Sequence, residues 1–163
     1  MNPIYEYHRD PYLISSDQTR LDIGAIHGYL THSYWSPGIA LDIVSKAIRH
    51  SLAFGLFHAS EQVGFGRVVT DYATFAYLAD VYVLKAHRGI GLGVWLIESI
   101  MGCPALDGIR TFLLATRDAH GLYRKFGFEV VAETGRLMAV QVEMPWYRPD
   151  LVREVARPPE NEL

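Results

Sequence analysis

An apolar run from Ala76 to Leu84 is followed, within four residues, by Arg88-Gly89-Ile90-Gly91-Leu92-Gly93. That cluster opens a stretch with helical spacing through Val94, Leu96, Ile97 and Ile100, which stops near Gly102. A strand that enters a helix through closely spaced glycines presents the first helical N–H groups without internal partners, where the helix dipole adds partial positive charge. Glycine allows positive φ and close approach by a bulky anion, and Arg88 adds a planar fork of donors. The arrangement points to a phosphate or pyrophosphate site, or else to a glycine-rich turn that holds no ligand. The Rossmann pattern G-x-G-x-x-G fails, because Val94 and Leu96 stand where its last glycine belongs. A Walker loop fails too, for want of Gly-Lys-Ser/Thr.

The rest of the chain supplies elements for one sheet. Helical spacing begins at Leu21, Ile26 and Leu30, with Thr19 and Asp22 resembling a capping box. A second helix is expected from Ser36-Pro37 through Ile39, Ile43, Ala47 and Ile48. Leu52–His58 and Val63–Val69, separated by Ser60-Glu61, read as a hairpin. Ala76–Leu84 and Thr111–Ala115 read as further strands, as do Phe128–Ala132 and Leu137–Val142. A last helix carries Ala119, Leu122, Tyr123 and Phe126, with Asp118 as its expected N-cap and Gly127 at its end. The order ααβββαβαββ predicts an α+β (mixed α/β) domain around one central sheet.

With 163 residues, no internal repeat and no linker, the chain is expected to form a single domain over 1–163, its core at about 20–145 and a tail over 146–163. Half the residues are hydrophobic and 20% charged, which excludes wholesale disorder. A formal net charge of −3 argues against a nucleic-acid partner. The single cysteine, Cys103, excludes an internal disulfide framework and lies at the far end of the glycine-led helix, a poor place for a nucleophilic thiol. None of the seven histidines has metal-ligand spacing, so no metal is expected, and G-x-S-x-G is absent. No secretory pattern and no membrane-length apolar stretch is found, so a soluble cytoplasmic protein is expected.

Two motifs together carry a resemblance. Val81-Tyr82-Val83, four further residues and then Arg88-x-x-Gly91-x-Gly93 resemble the acyl-CoA signature Q/R-x-x-G-x-G/A of the GNAT family of N-acetyltransferases. Ala119-His120-Gly121-Leu122-Tyr123-Arg124-Lys125-Phe126-Gly127-Phe128 resembles the same family's A-x-x-L-Y-x-K-x-G-F helix, and the likeness spans about Leu21 to Met144. The resemblance implies the acyl-CoA N-acyltransferase fold: a mixed, mostly antiparallel sheet flanked by helices and splayed between the fourth and fifth family strands, with acetyl-CoA in the wedge. It implies backbone bonds from Val81, Tyr82 and Val83 to the pantetheine arm. Arg88, Gly89, Ile90, Gly91, Leu92, Gly93 and Val94 would hold the pyrophosphate. Where the family often has asparagine, seven residues before the tyrosine, this chain has Thr116, whose hydroxyl reaches less far toward the cofactor.

The implied reaction moves an acetyl group from acetyl-CoA to a primary amine in a ternary complex. It needs a neutral amine, donors for an oxygen that gains charge, and a proton for the departing thiolate. Tyr123 is the implied proton donor, and a backbone N–H near Val83 the implied oxyanion donor. Asp80, kept within a stretch that reads Glu-Asp-(Ile/Leu)-Tyr-Val in some polyamine-acetylating relatives, is the candidate base, or else a strand carboxylate bonded to backbone or arginine. Tyr34 and Trp35, between the first two helices, are the candidate acceptor contacts. The acceptor can be a small-molecule amine, a protein N-terminus or a lysine. Many members pair into dimers, so a homodimer is compatible with the resemblance. Two other readings are a non-catalytic acyl-CoA sensor on the same scaffold and an unrelated nucleotide-binding domain.

Overall fold

Leu52–His58 (LAFGLFH) is apolar at nearly every position, the pattern of a strand covered on both faces. In the computed structural model, which describes residues 3–148, it is the third strand of a six-stranded sheet. The strands are β1 Glu6–Arg9, β2 Tyr12–Ser15, β3 Leu52–His58, β4 Glu61–Thr70, β5 Phe75–Val83 and β6 Thr111–Leu114. They lie in chain order across the sheet. Neighbours are antiparallel except β5 and β6, which run parallel. This is the mixed, mostly antiparallel sheet expected. A parallel pair needs a crossover, and α3 (Leu92–Met101) lies within it. Helices α1 (Ile23–Leu30) and α2 (Leu41–Arg49) fill the β2–β3 connection. The short α4 (His120–Arg124) follows β6.

Alternation along the strands divides the core in two. Phe54, Leu56, Val68 and Leu78 face Leu96, Ile97 and Ile100 of α3 and Leu122 and Tyr123 of α4. Ala53, Phe57, Phe65 and Tyr82 face Ile26 and Leu30 of α1 and Val44 and Ile48 of α2. Leu96, Ile97 and Ile100 are fully buried, each worth roughly 1.5–3 kcal/mol. Helices therefore cover both faces of the sheet.

Two irregularities in β5 prepare the site. The β4–β5 register slips between Phe65 and Arg67, where β5 carries an extra residue, and Asp80 there has φ +56°. This bulge re-aims the strand. Ala76 and Leu78 belong to the α3 side before it, while Val81 and Val83 take that side after it. The β5–β6 ladder also stops at Leu78 and Leu114. The rest of β5, Ala79–Val83, has no partner on that edge among the described residues, which is the expected splay.

Several expectations need correction. The β1–β2 hairpin escaped the sequence reading, so the sheet begins at Glu6, ahead of the expected core boundary near 20. Glu6–Arg9 (EYHR) is short and charged, as edge strands often are. Neither Phe128–Ala132 nor Leu137–Val142 forms a strand. An apolar segment becomes a strand only where an edge and a covered face receive it, and here Met138 and Val140 are 97% and 90% exposed. Asp22, not Thr19, caps α1, its carboxylate accepting from the Ala25 N–H at 2.9 Å. Ser36-Pro37 stays in the loop, and α2 starts at Leu41 behind Ala40. Asp118 does not cap α4; Ala119 holds the N-cap position. Most of the expected tail, 149–163, lies outside the described residues.

Candidate functional site

After β5 the chain makes a 3-10 turn, Lys85–His87, and reaches the glycine cluster. Gly89 and Gly91 have φ +79° and +85°. A side chain at either would be strained, yet a Cβ there would touch nothing within 4 Å. These glycines are needed for their backbone angles and they leave open space above them. Gly91 is the N-cap of α3, and no side chain caps that helix. The first-turn N–H groups, at Leu92, Gly93 and Val94, thus head an uncapped dipole beneath an open cradle. Ile90, 62% exposed, sits at its rim.

Arg88 is oriented differently from expectation. Its Nε donates to the Val83 carbonyl at 2.7 Å and its Nη2 to the Tyr29 hydroxyl at 3.2 Å. Its backbone N–H donates to the Lys85 carbonyl. The fork is turned inward rather than toward the cradle, because an unpaired strand carbonyl and a phenol oxygen lie within its reach.

The free edge of β5 adjoins the cradle. The Leu84 N–H bonds the Val63 carbonyl on β4. By antiparallel alternation the neighbouring Val83 N–H and C=O face away from β4, into the gap beside β6. Tyr82 and Val83 are buried, and Val81 is half-buried.

Asp80 stands at the bulge and is held from two sides. Trp35 Nε1 donates to Oδ1 at 3.0 Å, and Arg67 Nε donates to Oδ2. Arg67 Nη1 also donates to Ser51 Oγ at 3.1 Å. The Asp80 and Arg67 side chains are 9% and 18% exposed, so this is a sheltered ion pair with satisfied hydrogen bonds. The loop residue before Trp35 reaches the other strand. The Tyr34 hydroxyl accepts from the Arg117 N–H at 3.3 Å, and the Arg117 guanidinium lies 4.0 Å over the Tyr34 ring. Tyr34 and Trp35 contact each other edge-on at 4.9 Å. Two adjacent aromatics thus span from the β5 bulge to the chain just after β6.

Tyr123, on α4, packs edge-on against Phe128 at 5.9 Å and is 8% exposed. Burial pushes its phenol well above the ordinary value, and nearby Tyr34 and Asp118 push it further. Its proton is therefore held throughout the neutral range. Thr116 Oγ1 accepts from the Ala119 N–H at 3.0 Å, so its hydroxyl serves the turn into α4. Asp118 lies 3.9 Å from Arg117. His87 Nδ1 is 3.1 Å from the Tyr12 hydroxyl, while His120 is exposed. Phe54 and Phe57 are core residues. Cys103 is buried, and that burial raises its thiol. Among the described residues no group of three or more His, Cys, Asp or Glu is placed to hold a metal, and no helix is long and apolar enough to cross a membrane.

Sequence reasoning missed Tyr29, Arg67 and Arg117. An arginine inside the apolar run Val63–Val69 was a signal that some buried carboxylate must face it. Nothing local to the sequence marks Tyr29 or Arg117.

A family profile for acetyltransferase (GNAT) domains matches residues 49–130. A curated Gibberella zeae protein, named as a candidate acetyltransferase, is 31% identical over 160 residues, covering 83% of this chain and 89% of its own. A crystal structure from Xanthomonas campestris pv. campestris, described as a candidate acetyltransferase of the GNAT family, is similar at TM-score 0.77 and 45% identity, covering 87% of this chain and 95% of that one. A GNAT-family acetyltransferase from Streptococcus pneumoniae, 20% identical at TM-score 0.60 and covering 86% and 97%, shares the fold.

Proposed function

Because this chain belongs to the GNAT family of acetyltransferases, we propose that it transfers an acetyl group from acetyl-CoA to a primary amine in a ternary complex, as a cytoplasmic enzyme. The observation that carries this reading is the open, uncapped glycine cradle beside the unpaired edge of β5. The residues present fit acetyl-CoA. The N–H groups from Gly89 to Val94 would receive its pyrophosphate, and the backbone of Val81, Tyr82 and Val83 would receive its amide-bearing arm. When bound, acetyl-CoA supplies an acetyl thioester.

The protein's own groups would do the rest. The Val83 N–H, facing the gap, can donate to a carbonyl oxygen that gains charge. An alkylamine of pKa near 10.4 is neutral about once in a thousand at pH 7.4, a deficit of roughly 4 kcal/mol. Asp80 would offset part of this as base, directly or through water. Its two oxygens offer about four acceptor positions, so the bonds from Trp35 and Arg67 leave room. Tyr34 and Trp35 would wall the acceptor pocket and attract an ammonium by cation–π contact. Tyr123 would hold the proton for the departing sulfur. Burial makes its phenol a weaker acid, and the same poorly solvated surroundings raise the thiol that receives the proton, which limits the mismatch.

Calorimetry with acetyl-CoA, CoA, ATP and NAD tests the site, and selective binding of the two CoA species is the expected result. Thiol release across a panel of small amines and peptide N-termini then tests the chemistry. Tyr123→Phe should bind acetyl-CoA like the parent protein and turn over about 10²–10⁴-fold more slowly. Binding without turnover on any amine would leave the sensor reading. A preference for ATP or NAD would overturn the site itself.

A further inference from the structure

Arg88 lies directly before the cradle, yet its side chain points to the other side of the sheet. It joins three parts of the molecule. Its backbone leads into Gly89 and Gly91, whose φ of +79° and +85° fix the cradle. Its Nε holds the Val83 carbonyl at 2.7 Å, on the unpaired edge of β5. Its Nη2 donates to the Tyr29 hydroxyl at 3.2 Å, on α1 in the opposite layer. Tyr29 in turn stacks on Tyr82 with ring centres 3.7 Å apart and planes 9° from parallel. It also lies 6.4 Å from the Trp35 ring, which donates to Asp80. An unbroken series of contacts thus runs from the donor cradle through Arg88 and Tyr29 to the loop that carries Tyr34 and Trp35.

We propose that Arg88 and Tyr29 are positioning residues that transmit occupancy of the cradle to the Tyr34-Trp35 loop, so that donor binding orders the acceptor wall. The proposal rests on the reading that the cradle takes acetyl-CoA. An anion on the Gly89–Val94 backbone fixes the chain just after Arg88, and an amide group against β5 fixes the Val83 carbonyl that Arg88 holds. With both ends held, the guanidinium loses freedom before Tyr29 is engaged, so the Tyr29 bond forms at a smaller entropic cost. Coupling of this kind is reciprocal, and an occupied acceptor wall must tighten donor binding by the same factor.

The test is amide hydrogen exchange of the full chain with and without CoA, alongside calorimetry of CoA. In the parent protein CoA should slow exchange over residues 29–37 by about fivefold or more, in addition to slowing it over 89–94. Tyr29→Phe keeps the ring stack and removes the hydroxyl. It should bind CoA within about twofold of the parent protein and protect 89–94, but lose the protection over 29–37. Arg88→Lys keeps the charge without the fork and should lose it likewise. Unchanged exchange over 29–37 in the parent protein overturns the proposal without need of any variant, as does full protection in Tyr29→Phe. Absence of CoA binding in calorimetry instead removes the reading of the cradle, and this inference with it.

Discussion

Asp80 shows how much one residue can be asked to hold. It adopts φ +56°, which aspartate tolerates better than most residues, and its carboxylate joins β4, through Arg67, to the aromatic loop, through Trp35. Removing it strands a sheltered guanidinium. Asp80→Ala should therefore cost about 3–5 kcal/mol in urea unfolding, as for a broken buried pair. Asp80→Asn keeps an acceptor for Trp35 and should lose less stability while still impairing acetyl transfer. Equal midpoints for Asp80→Ala and the parent protein would show that the pair carries no stability. Both Asp80 and Tyr123 were legible in the sequence because short motifs name them. Their partners were not. Arg67 and Asp80 are 13 positions apart, and Tyr34 and Arg117 are 83 apart. Such pairings exist only once strands are in register and a loop has crossed the sheet.

At the scale of elements, the glycine-led helix behaves as its sequence predicts, since N-terminal geometry follows from local backbone preference. Gly91→Val separates two demands made on that turn. A Cβ there meets no protein atom within 4 Å, so the stability cost lies in the left-handed backbone, about 1–3 kcal/mol. It also projects into the cradle, so CoA affinity should fall by far more than that strain explains. Calorimetry beside thermal unfolding checks this, and an unchanged affinity would mean the anion site lies elsewhere. The central strands were legible because burial on both faces produces long apolar runs. Edge elements were not. β1 is short and charged, whereas Leu137–Val142 is apolar everywhere except Gln141 and stays exposed. An apolar run reports what a segment could cover, and pairing decides whether it becomes a strand.

Across the whole molecule, layering sets the response to pH. Burial raises the phenols of Tyr29, Tyr82 and Tyr123, and it is the largest cause for Tyr7, which is pushed up to about 12. The folded state holds these protons more tightly than the unfolded chain. Their contribution to stability is thus complete below the ordinary phenol value and declines as pH rises through the window above it. The urea midpoint should hold to about pH 9 and fall between about pH 10 and pH 12, with tyrosinate absorbance growing in step with unfolding. Constant midpoints would contradict the buried placement of these rings. A mixed domain around one central sheet was legible from the order of elements, while the assignment of particular helices to particular faces was not. The sheet follows chain order from β1 to β6, and both working parts of the protein are interruptions of that meander. The proposed acceptor wall interrupts it between β2 and β3, and the proposed donor cradle between β5 and β6. Evolution can thus rewrite one insertion while leaving the other and the sheet intact, which on the proposed function would make the architecture modular in its choice of acceptor. The hydrogen bond from Arg88 to Tyr29 is the seam where the two modules must still agree.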